Sequence, residues 1–360
     1  MRILSIVNQK GGCGKTTTAL NLASRFAAEG RTTVLVDLDP QGHATLGLGV
    51  PPPAREASVA AILERSGLQE DARPIREILV ETRERLYVAP AGAELAGLEV
   101  DLARDSGGEE RLAEHLAPLA GWADRVVVDA PPSLGLLALN ALLAAHDLVV
   151  PVDVGLFSLH GLARLLHVRE LLEERTGHGT RLHVFLNAWD GRTRFAHETL
   201  EELRRSFPGD CLKTVVRASV RVREAAAHGL PVEAQAPHAP VVADYVSLAE
   251  EIERRRPPAS AREERLPGLR VLPEGIYLHR HDVPPDQVRL AGDFNGWAPD
   301  GGVLLEMHGD GSWTKFLPLR PGRYEYKLVV GGKWMPDPLN PVRVANEIGS
   351  SNSVLEVASR

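Results

Sequence analysis

The residues with the most evident chemistry are Lys10-Gly11-Gly12-Cys13-Gly14-Lys15-Thr16-Thr17. The glycines let the backbone curl until successive N–H groups point at one anion. Lys15 is placed to reach the β- and γ-phosphates of a nucleotide, and the Thr16 hydroxyl to bind Mg²⁺. Two apolar runs end in carboxylates. Thr33-Val34-Leu35-Val36 leads into Asp37-Leu38-Asp39-Pro40-Gln41-Gly42, and Val126-Val127-Val128 leads into Asp129-Ala130-Pro131-Pro132-Ser133. A carboxylate beside a phosphate loop can hold a metal or orient a water. The Asp37–Asp39 run suits helix capping or an Asp-Pro turn equally well.

These groups need a scaffold that brings loop and carboxylates to one edge. The stretch before the loop, residues 3–7, reads as a buried strand, and residues 18–23 read as a helix with an apolar face. A helix N-terminus after a glycine-rich loop adds partial positive charge toward a phosphate. Further strands are expected at 33–37, 86–91, 125–129, 148–152 and 182–187. Helices are expected near 58–63, 75–79, 109–119, 158–175, 199–207, 222–228 and 240–255. Such alternation predicts an α/β fold, a doubly wound, mostly parallel sheet. Asn187 closes the 182–187 strand. Its amide could read the edge of a base or cap a helix.

The loop with Lys10 ahead of its glycines resembles the deviant Walker ATPases, the ParA/MinD/nitrogenase-iron-protein group. The resemblance runs over about residues 1–255. It implies ATP and Mg²⁺ as cofactors and a homodimer in which Lys10 reaches the partner's nucleotide. It further implies that Gly11, Gly12, Cys13, Gly14, Lys15, Thr16 and Thr17 cradle the phosphates. Thr16, Asp129 and the Asp39 carboxylate serve the metal or its water, and Lys10, Lys15 and Asp39 carry catalysis. Asn187 lies where relatives read the adenine edge. In the partition relatives, arginines in the segments holding Arg192 and Arg221 bind DNA without sequence preference, and a ParB-like partner activates hydrolysis. One departure is Arg217-Ala218, where relatives carry Pro-Arg. Arg192, Arg194, Arg204, Arg205, Arg217, Arg221 and Arg223 are interleaved with Glu198, Glu201, Glu202 and Glu224. The cluster reads either as a phosphate-binding patch or as solvated helix faces.

Bulk composition narrows the classes. The chain has 360 residues, 44% of them apolar and 25% charged, with a net charge of −7. That is globular composition with room for more than one domain. A globally acidic chain binds nucleic acid only through a local basic patch. Two cysteines, Cys13 and Cys211, make neither a disulfide framework nor a zinc site. No apolar run has the length of a membrane span, and the N-terminus enters a strand at once. The expected location is the cytoplasm, at the nucleoid or on glycogen granules, with no membrane role.

Residues 256–271 are polar, charged and proline-bearing and read as a linker. Beyond them, aromatics, glycines and turn dipeptides become dense. Strands at 275–279, 287–291, 312–317, 322–330 and 353–357 predict a small all-β immunoglobulin-like sandwich. The run Gly292-Asp293-Phe294-Asn295-Gly296-Trp297 is followed by Tyr324-Glu325-Tyr326-Lys327, Lys333-Trp334-Met335-Pro336-Asp337 and Gly349-Ser350-Ser351-Asn352. In this order they resemble the glycogen-binding module of the AMP-activated kinase β subunit and of branching and isoamylase-type enzymes, over residues 272–358. The resemblance implies that Trp297 and Trp334 stack on glucose, that Lys327 and Asn352 bond its hydroxyls, and that Ile348 and Ser350 line the same groove. An aromatic plate suits the apolar face of a sugar ring, and Lys and Asn suit its rim. Core packing is the alternative for the two tryptophans. With no paired catalytic carboxylates in a barrel, the chain is not expected to hydrolyse glycosides.

The combined expectation is a dimerising ATPase that binds α-glucan and positions a glycogen-associated cargo. Two rivals are a partition ATPase whose sandwich docks a protein, and a glucan-responsive ATPase that ignores DNA. A membrane-directed MinD-like role is disfavoured, because the last patterned segment reads as a strand.

Overall fold

The computed structural model describes residues 1–64, 73–104, 107–154, 158–176, 178–255, 268–272, 275–280, 286–307, 313–337, 340, 342–346 and 349–357. The first region opens with β1 (Arg2–Ile6), α1 (Lys15–Ala28), β2 (Thr33–Asp37), α2 (His43–Gly47) and α3 (Val59–Leu63). It continues with β3 (Val80–Arg83), β4 (Leu86–Ala89), α4 (Leu95–Leu102), α5 (Arg111–Leu116), β5 (Arg125–Asp129) and α6 (Leu136–Ala144). It closes with β6 (Asp147–Val152), α7 (Ser158–Thr176), β7 (Arg181–Leu186), α8 (Arg194–Ser206), α9 (Val220–Ala227), α10 (Val232–Gln235) and α11 (Pro240–Arg254).

The seven strands lie in the order β3-β4-β2-β5-β1-β6-β7. All neighbours are parallel except the β3–β4 pair. Successive side chains of a strand point to opposite faces, so a sheet covered on both sides needs apolar residues at every position. Ile3 joins the core on one face with Val126, Leu137 and Leu182. Its neighbour Leu4 joins the other with Leu22, Phe26 and Leu248. β2, β5 and β1 sit side by side in the middle, so the carboxylates of β2 and β5 and the loop after β1 reach one edge.

The doubly wound, mostly parallel sheet is as expected. Two helices and one strand of this region were not foreseen. α6 is apolar nearly all round, so it carries no amphipathic period to recognise. α4 has an equally weak face. β3 is an exposed antiparallel edge strand with mixed polarity.

The opposite edge is tied to the last helix. Arg2 Nε bonds Asp147 Oδ2 at 2.7 Å, and Arg2 Nη2 donates to the carbonyls of Ile252 (3.0 Å) and Arg255 (2.7 Å). Arg125 and Arg31 both reach the Glu253 carboxylate, at 2.7 and 2.6 Å. Burial would raise the Asp147 carboxyl, but Arg2 and His183 hold it below its ordinary value. Burial alone would likewise raise Glu253, and Arg125 and Arg31 bring it down.

Gly49 and Gly229 join α2 to α9. Both have positive φ, 75° and 66°. A Cβ on Gly229 would come within 2.7 Å of the Gly49 Cα. Gly229→Ala is therefore expected to destabilise the chain by about 1–3 kcal/mol, seen as a lower thermal midpoint.

The second region comprises β8 (Gly268–Leu272), β9 (Gly275–Arg280), β10 (Val288–Gly292), β11 (Leu304–Met307) and β12 (Trp313–Pro318). It ends with β13 (Gly322–Val330), β14 (Lys333–Met335), β15 (Arg343–Ala345) and β16 (Ser351–Val357). One sheet runs β10-β13-β16-β15 with β14 paired to β13; the other runs β11-β12-β9-β8. All pairs are antiparallel. Leu290, Leu317, Tyr326, Leu328, Leu355 and Val357 form the core. β8 falls inside the stretch read as a linker, because pairing with β9 overrides its polar, proline-flanked composition.

Candidate functional site

β1 ends at Ile6 and the chain turns through the glycines into α1. Gly12 and Gly14 have φ of 77° and 94°, in the left-handed region. A Cβ on Gly14 would lie 2.0 Å from Asn187 Nδ2, so no side chain fits there. The first turn of α1 carries no acidic residue. The Lys15, Thr16 and Thr17 N–H groups precede the first helical bond, which Thr18 N–H donates to Gly14 O. This leaves a positive helix end open to an anion.

The lysines have defined places. Lys15, 7% exposed, donates from Nζ to Lys10 O at 3.0 Å. Lys10 Nζ lies 2.6 Å from Asp153 Oδ2, one residue beyond β6. Asn8 accepts the Lys10 N–H at 3.0 Å and donates to Pro151 O at 2.8 Å, which pins the loop to β6. The Cys13 thiol donates to Lys10 O at 3.2 Å and is 1% exposed. Burial pushes its pKa up, so it packs as a small apolar group.

Asp37 and Asp129 face each other across the β2–β5 register, both fully buried. Thr45 donates to Asp37 Oδ2 from its N–H and its hydroxyl, each at 2.8 Å. Burial raises the Asp37 pKa to about 6 against these bonds, and the Asp39 charge adds to it. Burial and then the Asp37 charge push Asp129 well above the carboxylate range, while Thr16 and Lys15 pull it down. Neither Asp129 oxygen has a well-aligned hydrogen-bond partner among the described residues. An unbonded buried carboxylate beside a threonine hydroxyl and a lysine fits a divalent cation. Thr16 and Asp129 are the residues that would hold Mg²⁺. There it would neutralise charge on the phosphate oxygens during transfer. Asp39 is partly exposed, and its Oδ1 accepts the Gln41 N–H at 2.9 Å.

Asn187, 7% exposed, donates to Cys13 O at 2.8 Å. Its amide nitrogen thus braces the phosphate loop; Thr193 is the residue that caps α8. Asp153 and Thr45 escaped the sequence reading. Asp153 had a signal, a carboxylate just after a buried strand, the same pattern that singled out Asp129.

Five of the seven arginines are paired on the surface. Arg192 meets Asp190, Arg194 meets Glu198, Arg205 meets Glu202 and Arg217 meets Asp244, each at 2.7 Å, and Arg221 meets Glu224 at 2.9 Å. Exposed pairs of this kind contribute about 0–1 kcal/mol, so phosphates can compete for them.

In the second region the Trp297 and Trp334 rings lie 6.3 Å apart at 34°. Trp334 is 47% exposed, which overturns the core-packing alternative for it. Trp297 has φ 61° and donates from Nε1 to Asp293 Oδ1 at 3.1 Å. A bulky residue held in the left-handed region is strained and needs a reason to persist. Lys327 donates to Ser350 Oγ at 2.7 Å, and Asn352 donates to Glu325 Oε2 at 2.9 Å. Ile348 lies outside the described residues.

Comparison with known proteins agrees with both sites. Residues 1–182 match the family model of an AAA domain, and residues 280–360 match that of the glycogen recognition site of AMP-activated protein kinase. The chromosome partitioning protein ParA of Myxococcus xanthus is 38% identical over 263 residues, covering 72% of this chain and 91% of the relative. The chromosome-partitioning ATPase Soj of Thermus thermophilus is 40% identical over 258 residues, covering 71% and 96%. Cobyrinic acid a,c-diamide synthase of Mycobacterium smegmatis, solved with an ATP analogue and magnesium, superposes with a TM-score of 0.59 at 29% identity, covering 71% of this chain and 95% of that one. Among the described residues no helix is long and apolar enough to cross a membrane. With its loop, its paired strand-end carboxylates and these relatives, the chain belongs to the ParA/Soj family of ATPases, uses ATP and Mg²⁺, and carries a module of the glycogen-recognition type at its C-terminal end.

Proposed function

We propose that the chain is an ATP-switched homodimer that binds α-glucan and positions glycogen or a glycogen-bound assembly. Residues 1–255 form the switch and the β-sandwich holds the glucan. The observation that carries this reading is the union in one chain of the Lys10-bearing phosphate loop with the tilted Trp297–Trp334 pair. Lys15 and Lys10 bind phosphate charge, Thr16 and Asp129 hold the metal, and Asp39, at the exposed rim, orients the water. Arg192 and Arg221 contact DNA phosphates in the dimer, once released from Asp190 and Glu224, and a ParB-like protein stimulates hydrolysis. The site of action is the cytoplasm, at the nucleoid or on glycogen.

The test is co-sedimentation of the full chain with glycogen, with and without ATP–Mg²⁺. Pelleting with glycogen is expected, with a bound fraction that changes on adding nucleotide. A chain that stays in solution under both conditions would refute the glucan reading, and the sandwich would then be a protein-docking module.

The Lys10–Asp153 pair gives the switch a resting position. Lys10 must leave Asp153 to cross to a partner's nucleotide. Both side chains are partly exposed, 31% and 23%, so the hold is modest. Asp153→Asn is expected to raise the ATP-dependent dimer fraction by about two- to fivefold in dimerisation constant, read by sedimentation velocity.

A further inference from the structure

We propose that Glu325 is a further sugar-binding residue of the tryptophan platform, and that Asn346 is the positioning residue that holds its polar set in place. This rests on the glucan reading above. On β13, Tyr326 and Leu328 point into the sandwich core. Glu325, Lys327 and Val329 therefore share the opposite face. Trp334 lies across from Val329 in the β13–β14 pair, on that same face. Glu325 is thus on the platform side, two residues from Lys327.

A chain of hydrogen bonds runs from Lys327 to Glu325. Lys327 Nζ donates to Ser350 Oγ at 2.7 Å. Asn346 Nδ2 donates to Ser350 Oγ at 2.8 Å and to Asn352 Oδ1 at 2.9 Å. Asn352 Nδ2 donates to Glu325 Oε2 at 2.9 Å. The Ser350 N–H, which can only donate, bonds Asn346 Oδ1 at 2.9 Å, and the Ser350 hydroxyl lies 3.1 Å from the same atom. This fixes which end of the Asn346 amide is oxygen. Glu325, which as a carboxylate can only accept, fixes the Asn352 amide in the same way.

The valences can then be counted. Asn346 spends both N–H groups and its oxygen inside the protein, so nothing remains for a ligand. Asn352 spends its oxygen and one N–H and keeps one N–H. Glu325 spends Oε2, while Oε1 has no partner among the described residues, and the side chain is half-buried. The face therefore presents an amide donor beside a carboxylate acceptor. Vicinal hydroxyls of a glucose ring each donate and accept, so one can take the Asn352 N–H while its neighbour donates to Glu325.

The test is calorimetric titration of the full chain with maltoheptaose. Glu325→Gln retains an oxygen for Asn352 and replaces the outward acceptor with a donor. Affinity about tenfold below wild type is expected, with thermal midpoint and ATPase rate unchanged. Asn346→Asp retains the oxygen that takes the Ser350 N–H and removes both amide donors, and a loss of similar size is expected. If wild type binds and Glu325→Gln binds equally well, Glu325 is not a sugar ligand, although the glucan reading stands. If Asn346→Asp binds like wild type, its positioning role is overturned. If wild type takes up no maltoheptaose, the glucan reading itself fails and this inference with it.

Discussion

Asp129→Asn is expected to lower the ATPase rate by about 10²–10³-fold while leaving the fold intact. Asp129 ends the central strand β5 and is wholly buried. Its unbonded oxygens suit a cation. An asparagine there turns an N–H₂ group toward the metal position and removes the charge that would hold it. Burial and Asp37 already push Asp129 toward its neutral form, so a neutral amide of the same size removes a destabilising charge rather than a stabilising bond. The variant should melt no lower than wild type in the absence of nucleotide. Phosphate release measured across a Mg²⁺ titration decides the matter. A rate within threefold of wild type at every Mg²⁺ concentration would take Asp129 out of the metal site.

The second large effect is expected from removing the aromatic platform. Trp297→Gly combined with Trp334→Ala should weaken glycogen binding by about 30- to 1,000-fold, since two stacking surfaces are lost at roughly 1–2 kcal/mol each. Glycine is the better replacement at position 297 because the backbone there has φ 61°, which glycine adopts without strain. Trp334 is 47% exposed, so its loss should cost the fold little. Binding is read by co-sedimentation and folding by thermal midpoint. Wild-type pelleting by the double variant would mean that the tryptophans do not form the glucan surface.

The catalytic edge was legible because buried parallel strands announce themselves. Thr33–Asp37 and Arg125–Asp129 are short β-branched runs with a carboxylate at the end, and both form strands with those bounds. The glycine-rich loop is equally plain, since Gly14 has no room for a side chain. What stayed hidden depends on contacts between distant residues. Asp153 becomes notable only when β6 lies beside β1 and brings it 2.6 Å from Lys10. Asn187 braces Cys13 across 174 positions. The link from Asn352 to Glu325 spans 27 positions and two strands. α6 was missed for the opposite reason: its local pattern is uniformly apolar, and only the surrounding core identifies it.

The arginine clamp at the opposite edge bears on how such a chain could arise and be re-engineered. Arg2, Arg31 and Arg125 stand at or just before the starts of β1, β2 and β5, and together they hold the last turn of α11. The loop, Asp39 and Asp129 lie at the ends where those strands finish. Whatever follows Arg255 is therefore tethered a full strand length from the chemistry, at a point secured by its own ion pairs. Such an attachment point is a neutral splice site. A sugar-binding cassette can be joined, exchanged or removed there by recombination without disturbing a single phosphate contact, and a different cargo adaptor could be grafted at the same residue.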